Sequence, residues 1–385
     1  LKFIMIFPQG GNALSKKLLG TTTLFYPVYR CGQAVNQQVN CRVNFYEAIK
    51  KQFLTNMRAS WYEKTGPALD VLQTGELETP EASNSEVRIK IFSSGVNPAD
   101  VKLRSGQSSY GYNFDRVIPN SDGAGIIDQV GAGVSKQLLG QRVWLFNGQR
   151  LGRAYGTAAE YICINTDYVT ELPDHVSFDE GATLGIPGLT AYHGVFADGS
   201  VKDKTVLVTG GAGAVGFYAI SLASWGGANV LCTISSDQKA ELALLAGAHN
   251  TINYKTENVA KMVEAYTKGK GVDRLVTVDF GGDLPWIASV MRQNSCVSAY
   301  ASDTEKMPKL DFFSFMRRNI QIRPFILNSL PKKDLDKARL GMNRWLIEKP
   351  DSVKPIAKKF YLENIAKAHA FVESSTKFGT VIVNP

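Results

Sequence analysis

The stretch Thr205-Val206-Leu207-Val208-Thr209-Gly210-Gly211-Ala212-Gly213-Ala214-Val215-Gly216-Phe217-Tyr218-Ala219-Ile220-Ser221-Leu222 decides how the chain is read. Its β-branched opening predicts a buried strand, its glycines a tight turn, and the remainder an amphipathic helix. Gly211, Gly213 and Gly216 stand in the G-x-G-x-x-G spacing of a dinucleotide-binding turn, directly behind that strand. On this reading Gly211 turns the chain out of the strand, Gly213 admits a pyrophosphate against bare backbone, and Gly216 lets the helix close on the strand. Ala212, Ala214 and Val215 complete the cradle, where free N–H groups and the helix dipole face the phosphates.

Downstream of this turn, strand candidates Asn229–Ile234, Thr251–Asn253, Arg274–Asp279 and Ser295–Ala299 alternate with helix-length stretches. That alternation predicts an α/β, doubly wound parallel sheet, with a sixth strand at Ile320–Ile322. Lys332–Glu348 reads as a helix and Gly379–Val383 as a final strand rejoining the first domain. Upstream, Val87-Arg88-Ile89-Lys90-Ile91 has the period of a half-buried strand, and the glycine-punctuated runs 123–127, 130–134 and 140–144 suggest an antiparallel β-barrel.

At 385 residues, with 44% hydrophobic and 20% charged residues, the chain is long enough for two domains. No apolar run approaches the roughly 20 residues that span a bilayer. Most of the net charge of +8 lies in residues 1–56, which hold seven Lys or Arg against the single acid Glu47, so no nucleic-acid footprint is expected. Those residues have no clear period and receive no fold; they read as an upstream extension, with a targeting peptide as the alternative. Cys31, Cys41, Cys163, Cys232 and Cys296 are scattered, which fits reduced thiols in a cytoplasmic compartment, and Cys163 and Cys232 fall in apolar strand-like runs that predict burial. Histidines 175, 193, 249 and 369 lie too far apart for a spaced metal site.

Besides the glycine turn, Gly95-Val96-Asn97-Pro98-Ala99-Asp100, Arg104-Ser105-Gly106, Tyr155-Gly156-Thr157-Ala158-Ala159-Glu160-Tyr161 and Gly188-Leu189-Thr190-Ala191-Tyr192 stand out. Together these stretches resemble the medium-chain dehydrogenase/reductases, and within them the zinc-free, zeta-crystallin-like quinone oxidoreductases. The resemblance covers residues 57–385. It implies a GroES-like β-rich catalytic domain over 57–183, a Rossmann domain over 184–322, a segment 323–385 completing the catalytic domain, and a homodimer. Where the alcohol dehydrogenase branch holds zinc with Cys and a His-Glu pair, this chain carries Asn97 and Ser121-Asp122. Without a Lewis acid the acceptor must itself be electron-poor, which points to quinones and conjugated carbonyls.

By the same resemblance Asn97 offers an amide to the acceptor, Asp100 fixes its loop, and Tyr110 donates a proton or hydrogen bond, with Tyr112 an alternative. Thr190 and Tyr300 line the cofactor. The second parallel strand ends at Ser235 rather than an acid, leaving room for a 2′-phosphate, and Lys239 and Tyr254 match positions that contact it, which implies NADPH. Asp237 and the Ser375 found where the family has an arginine weigh against a strong grip. The function implied is a zinc-independent NADPH-dependent reductase of a small electron-poor carbonyl compound. A 2-alkenal or enoyl-thioester reductase and a non-catalytic NADPH-binding protein are the alternatives.

Overall fold

The structure, a computed structural model, describes residues 56–108, 114–150, 152–374 and 378–385. In chain order the strands are β1 (Asn56–Trp61), β2 (Gln73–Glu78), β3 (Glu86–Val96), β4 (Asp122–Val130), β5 (Arg142–Leu145), β6 (Tyr161–Asn165), β7 (Val169–Glu171), β8 (Thr205–Val208), β9 (Asn229–Ile234), β10 (Asn250–Asn253), β11 (Val272–Thr277), β12 (Met291–Ala299), β13 (Gln321–Pro324), β14 (Ile356–Tyr361) and β15 (Thr380–Asn384). The helices used below are α1 (Pro98–Ser105), α2 (Leu189–Phe196), α3 (Ala214–Trp225), α4 (Asp237–Leu245), α5 (Val259–Thr267), α6 (Phe280–Val290), α7 (Lys332–Glu348) and α8 (Ile365–Glu373).

The first sheet runs β14-β15-β3-β4-β5-β7, with β6 also paired to β3. Two register shifts against β4 bend the long strand β3, so that its first half pairs with β6 and its last residues with β15. Alternate residues Val87, Ile89 and Ile91 point into a core with Ile127, Val143, Leu145, Ile162 and Ile164. The strands between residues 86 and 171 pair antiparallel, as the glycine-punctuated runs suggest, whereas β14 and β15 run parallel to each other. β1 and β2 form a separate antiparallel pair.

The second sheet has the order β10-β9-β8-β11-β12-β13, parallel throughout. Its order reverses between β8 and β11, and open sheets of this kind take ligands outside the carboxyl ends of the strands at such a point. Helix α3 differs from the amphipathic expectation. Gly216 to Ala223 are all buried, because the helix is covered by neighbours as well as by its sheet. Tyr218 meets Trp345 of α7 edge-on at 5.8 Å, and Trp225 meets Phe196 of α2 at 6.0 Å. Gly341 lets α7 lie against the Tyr192 ring, which a side chain there would strike. Among the described residues no helix is long and apolar enough to cross a membrane.

Candidate active site

The glycine turn binds itself together before any ligand is considered. Gly210 takes the left-handed backbone at φ +67°, so the sharp turn falls one residue before Gly211. Gly211 N donates to Thr233 O at 2.9 Å, and Gly213 caps the amino end of α3. A Cβ at Gly216 would lie 2.2 Å from Gly210 O, so only glycine lets α3 start this close to the turn. Ala214 and Val215 open the helix, and the N–H groups of its first turn have no partner within it. The Gly379 N–H reaches Ala212 O at 3.2 Å, which brings the start of β15 against the same turn.

Beneath the turn, Thr209 donates to Thr277 Oγ1 at 3.2 Å, and Thr277 donates to Asp283 at 2.6 Å. Burial raises the Asp283 carboxyl to about 6. Tyr300 follows β12, and burial followed by the Asp283 charge pushes its hydroxyl pKa upward. With Phe280, Phe325, Ile326 and Leu330 it lines a cavity of about 570 Å³ at the carboxyl ends of β12 and β13. Thr190 lies buried on α2, and His193 on the same helix packs its ring against Phe325 at 4.7 Å, burial lowering its pKa.

At the end of β9, Lys239 Nζ donates to Ser235 Oγ at 2.9 Å. Tyr254 N bonds to Ile234 O at 3.1 Å, which carries the exposed Tyr254 to the end of the neighbouring strand. Ser235, Lys239 and Tyr254 thus come from the ends of β9, α4 and β10 at one corner of the sheet. An ammonium beside a hydroxyl suits a phosphate.

Asn97 and Asp100 open α1. Asn97 N donates to Asp100 Oδ2 at 2.8 Å, and Asn97 Nδ2 donates to Asp122 Oδ2 at 2.7 Å. That same Asp122 oxygen accepts the Ile186 N–H at 2.8 Å. Asp100 Oδ1 accepts from Ser121 at 2.8 Å and lies 2.9 Å from the Arg150 guanidinium. Burial, then the Asp100 charge, raises the Asp122 carboxyl to about 8. Behind it His369 Nε2 meets Asn120 Oδ1 at 3.0 Å, Asn120 donates to Ser94, Ser94 meets Thr157 at 2.7 Å, and Thr157 donates to Asp122 O. Burial, then Arg104, pushes the His369 pKa down to about 3, so the ring is neutral and its Nε2 proton faces Asn120.

Sequence reasoning missed Asp122, Arg150 and Ile186 as members of this network. The one signal for Asp122 is an acid inside the glycine-rich run Asn120-Ser121-Asp122-Gly123-Ala124-Gly125. Arg104 ties α1 to Glu373 of α8 and to Gly66 O. Lys102 of α1 bonds Asp303 at 2.8 Å, joining the Asn97 helix to the loop just past Tyr300 and the cavity. Tyr110, Tyr112, Ser375 and residues 1–55 lie outside the described residues. Cys232 is buried as expected, but Cys163 is only half-buried because it lies on the outward-alternating face of β6, and burial pushes both thiols up to about 12. Among the described residues no cluster of His, Cys, Asp or Glu is arranged to hold a metal.

A family described as alcohol dehydrogenase GroES-like domain matches residues 83–174, and one described as zinc-binding dehydrogenase matches residues 214–339. Quinone oxidoreductase of Rattus norvegicus is 32% identical over 331 residues, covering 84% of this chain and 95% of the relative. That of Mus musculus is 30% identical over 331 residues, covering 84% and 96%. The structure of Escherichia coli quinone oxidoreductase complexed with NADPH shares the fold, with a TM-score of 0.74 at 23% identity over 85% of this chain and 100% of that one. The architecture is therefore a GroES-like domain joined to a parallel-sheet Rossmann-like domain. Matched over nearly the whole length of such relatives, the chain belongs to the quinone oxidoreductase family of the medium-chain dehydrogenase/reductases.

Proposed function

We propose that the protein is an NADPH-dependent, zinc-independent reductase of quinones or related electron-poor conjugated carbonyls, acting as a cytoplasmic homodimer. The observation that carries the reading is the junction of Asn97, Asp122 and Ile186, where the Asn97 amide and the Ile186 N–H both donate to the Asp122 carboxyl group. No thiol or imidazole joins that junction, so its donor set suits hydrogen bonding to an acceptor oxygen better than Lewis-acid binding. Asn97 has a second amide hydrogen for that oxygen. The cofactor, when bound, supplies the hydride. The protein's own part is to hold the phosphates at the glycine turn, the 2′-phosphate at Ser235, Lys239 and Tyr254, and the acceptor beside Asn97. Thr190 and Tyr300 are the proposed wall of the cofactor site, and Asp100 anchors the Asn97 loop. Tyr110 as proton donor rests on the family resemblance alone.

The test is NADPH oxidation, followed by absorbance after EDTA treatment, with benzoquinone, phenanthrenequinone, hexenal and crotonyl-CoA. Turnover of a quinone that survives the chelator is the expected result. Preference for crotonyl-CoA or hexenal moves the assignment to an enoyl reductase, and tight NADPH binding with no turnover moves it to a binding protein.

The corner at β9 gives a separate expectation. Lys239→Ala should weaken NADPH about 30-fold, the loss of roughly 2 kcal/mol of charge-assisted hydrogen bonding, while NADH affinity stays nearly constant. Isothermal titration with the two nucleotides checks this; equal losses would remove Lys239 from the phosphate site.

A further inference from the structure

Asp122 takes part in no chemistry assigned above, yet it is the point at which separate segments of the site meet. Its Oδ2 accepts the Asn97 amide from the head of α1 and the Ile186 N–H from the turn 184–188 that leads into α2 and Thr190. Its backbone carbonyl receives Thr157 at the end of the chain from His369. Its Oδ1 is buried with no hydrogen-bond partner and fills the space that a side chain at Gly185 would need, since a Cβ there would lie 2.2 Å from it. Gly185 breaks the helical path of this turn beside that oxygen, so turn and carboxyl group are fitted to each other.

We propose that Asp122 is a positioning residue that locks the acceptor-side amide of Asn97 to the cofactor-side turn and α2, so that one carboxyl group sets the distance between acceptor and cofactor. The proposal deepens the reductase reading and rests on it. A neutral acid suits the part, because a proton on Oδ1 needs no partner charge and leaves Oδ2 to accept both bonds. The raised pKa of about 8 agrees with this. The titratable and charged groups facing Asp122 are Asp100 of α1, which opposes its ionisation, Arg150 behind β5, which favours it, and Tyr218 of α3, whose hydroxyl is bonded to Thr183. Ionisation is favoured by the Asn97 and Ile186 bonds and opposed by burial and by a second negative charge beside Asp100, whose repulsion strains the junction.

The experiment compares the wild-type full chain with Asp122→Asn, Asp122→Ala and Gly185→Ala, measuring kcat for phenanthrenequinone, NADPH affinity and Tm as pH rises. Asn keeps one oxygen able to accept both bonds and cannot ionise. Asp122→Asn should hold wild-type kcat at neutral pH and lack the fall expected of the wild type as pH rises through about 8. Asp122→Ala and Gly185→Ala should lose kcat about 100-fold, the scale of a misplaced reacting group, with NADPH affinity almost unchanged. Wild-type kcat in Asp122→Ala, or an unaltered alkaline fall in Asp122→Asn, overturns the proposal.

Thermal stability judges the clamp without turnover. The folded state keeps a proton that the unfolded chain releases in the ordinary carboxylate range, so wild-type stability is lost as pH rises from that range to about 8 and then levels. Asp122→Asn lacks this loss. Parallel Tm curves for the two proteins refute the clamp, whereas diverging curves in a wild type that reduces no acceptor retain the clamp and refute the reductase reading.

Discussion

A Gly216→Val variant is expected to lose cofactor binding and to unfold at least about 10 °C below the wild type, a shift corresponding to roughly 3 to 4 kcal/mol in a domain of this size. A Cβ at Gly216 would stand 2.2 Å from Gly210 O, 2.9 Å from Gly210 C and 3.1 Å from Gly211 Cα. These are backbone atoms in a left-handed turn and cannot rotate away. Overpacking by ordinary side-chain contact costs about 1–3 kcal/mol, and a clash with fixed backbone exceeds that. Nor can α3 retreat, since Phe217, Tyr218, Ile220 and Leu222 are buried among α2, α7 and the sheet. Differential scanning calorimetry and NADPH fluorescence titration test the result, with Gly213→Ala as comparison. A Cβ at Gly213 meets Gly210 O at the milder distance of 3.2 Å, so that variant should bind NADPH poorly while melting near the wild type. A Gly216→Val protein with wild-type Tm would show that the turn is not the fixed point of the fold.

Asn97→Ala should lower kcat about 100-fold, the scale of removing one preorganised donor from a developing oxyanion, and leave NADPH affinity unchanged. The amide is buried and held by Asp122, so its loss changes the acceptor side without touching the glycine turn. Asn97→Asp should be worse. It removes the donor and sets a third carboxyl group beside Asp100 and Asp122. Stopped-flow measurement of hydride transfer in both variants separates this from a defect in cofactor binding. Equal losses in kcat and NADPH affinity would place Asn97 in the cofactor site instead.

The parallel sheet was readable because its strands are apolar runs bounded by polar turns. Asn229–Ile234 and the helix Lys332–Glu348 coincide with the observed β9 and α7. β12 begins at Met291, four residues before the apolar run from Ser295, because Arg292, Gln293 and Asn294 are exposed and carry no hydrophobic signal. β1 and β2 escaped notice for a related reason: Gln73–Glu78 is mostly polar, and pairing rather than patterning defines it. Within the glycine turn the spacing pointed to Gly211 for the bend, whereas the steric need falls on Gly210, because a motif records where ligands approach and not which residue takes the left-handed conformation. Ser235 was legible as the strand end where an acid would otherwise stand, while Lys239 and Tyr254 came from the family resemblance. Asp122 was not, since its partners Asn97, Arg150 and Ile186 approach it from unrelated points in the chain and no spacing rule connects them.

The seam between β15 and β3 bears on the order in which the molecule comes into being. Val381, Ile382 and Val383 pair with Val96, Gly95 and Ser94, the residues directly ahead of Asn97. A growing chain leaving the ribosome therefore makes every strand of the parallel sheet before β15, the partner of the last residues of β3, appears. The parallel sheet, whose strands are joined by helical crossovers, can pair during synthesis, while the last residues of β3 wait on one side for β15. The residues directly ahead of Asn97 and the glycine turn at Ala212 thus gain their β15 contacts together, when that strand is laid in.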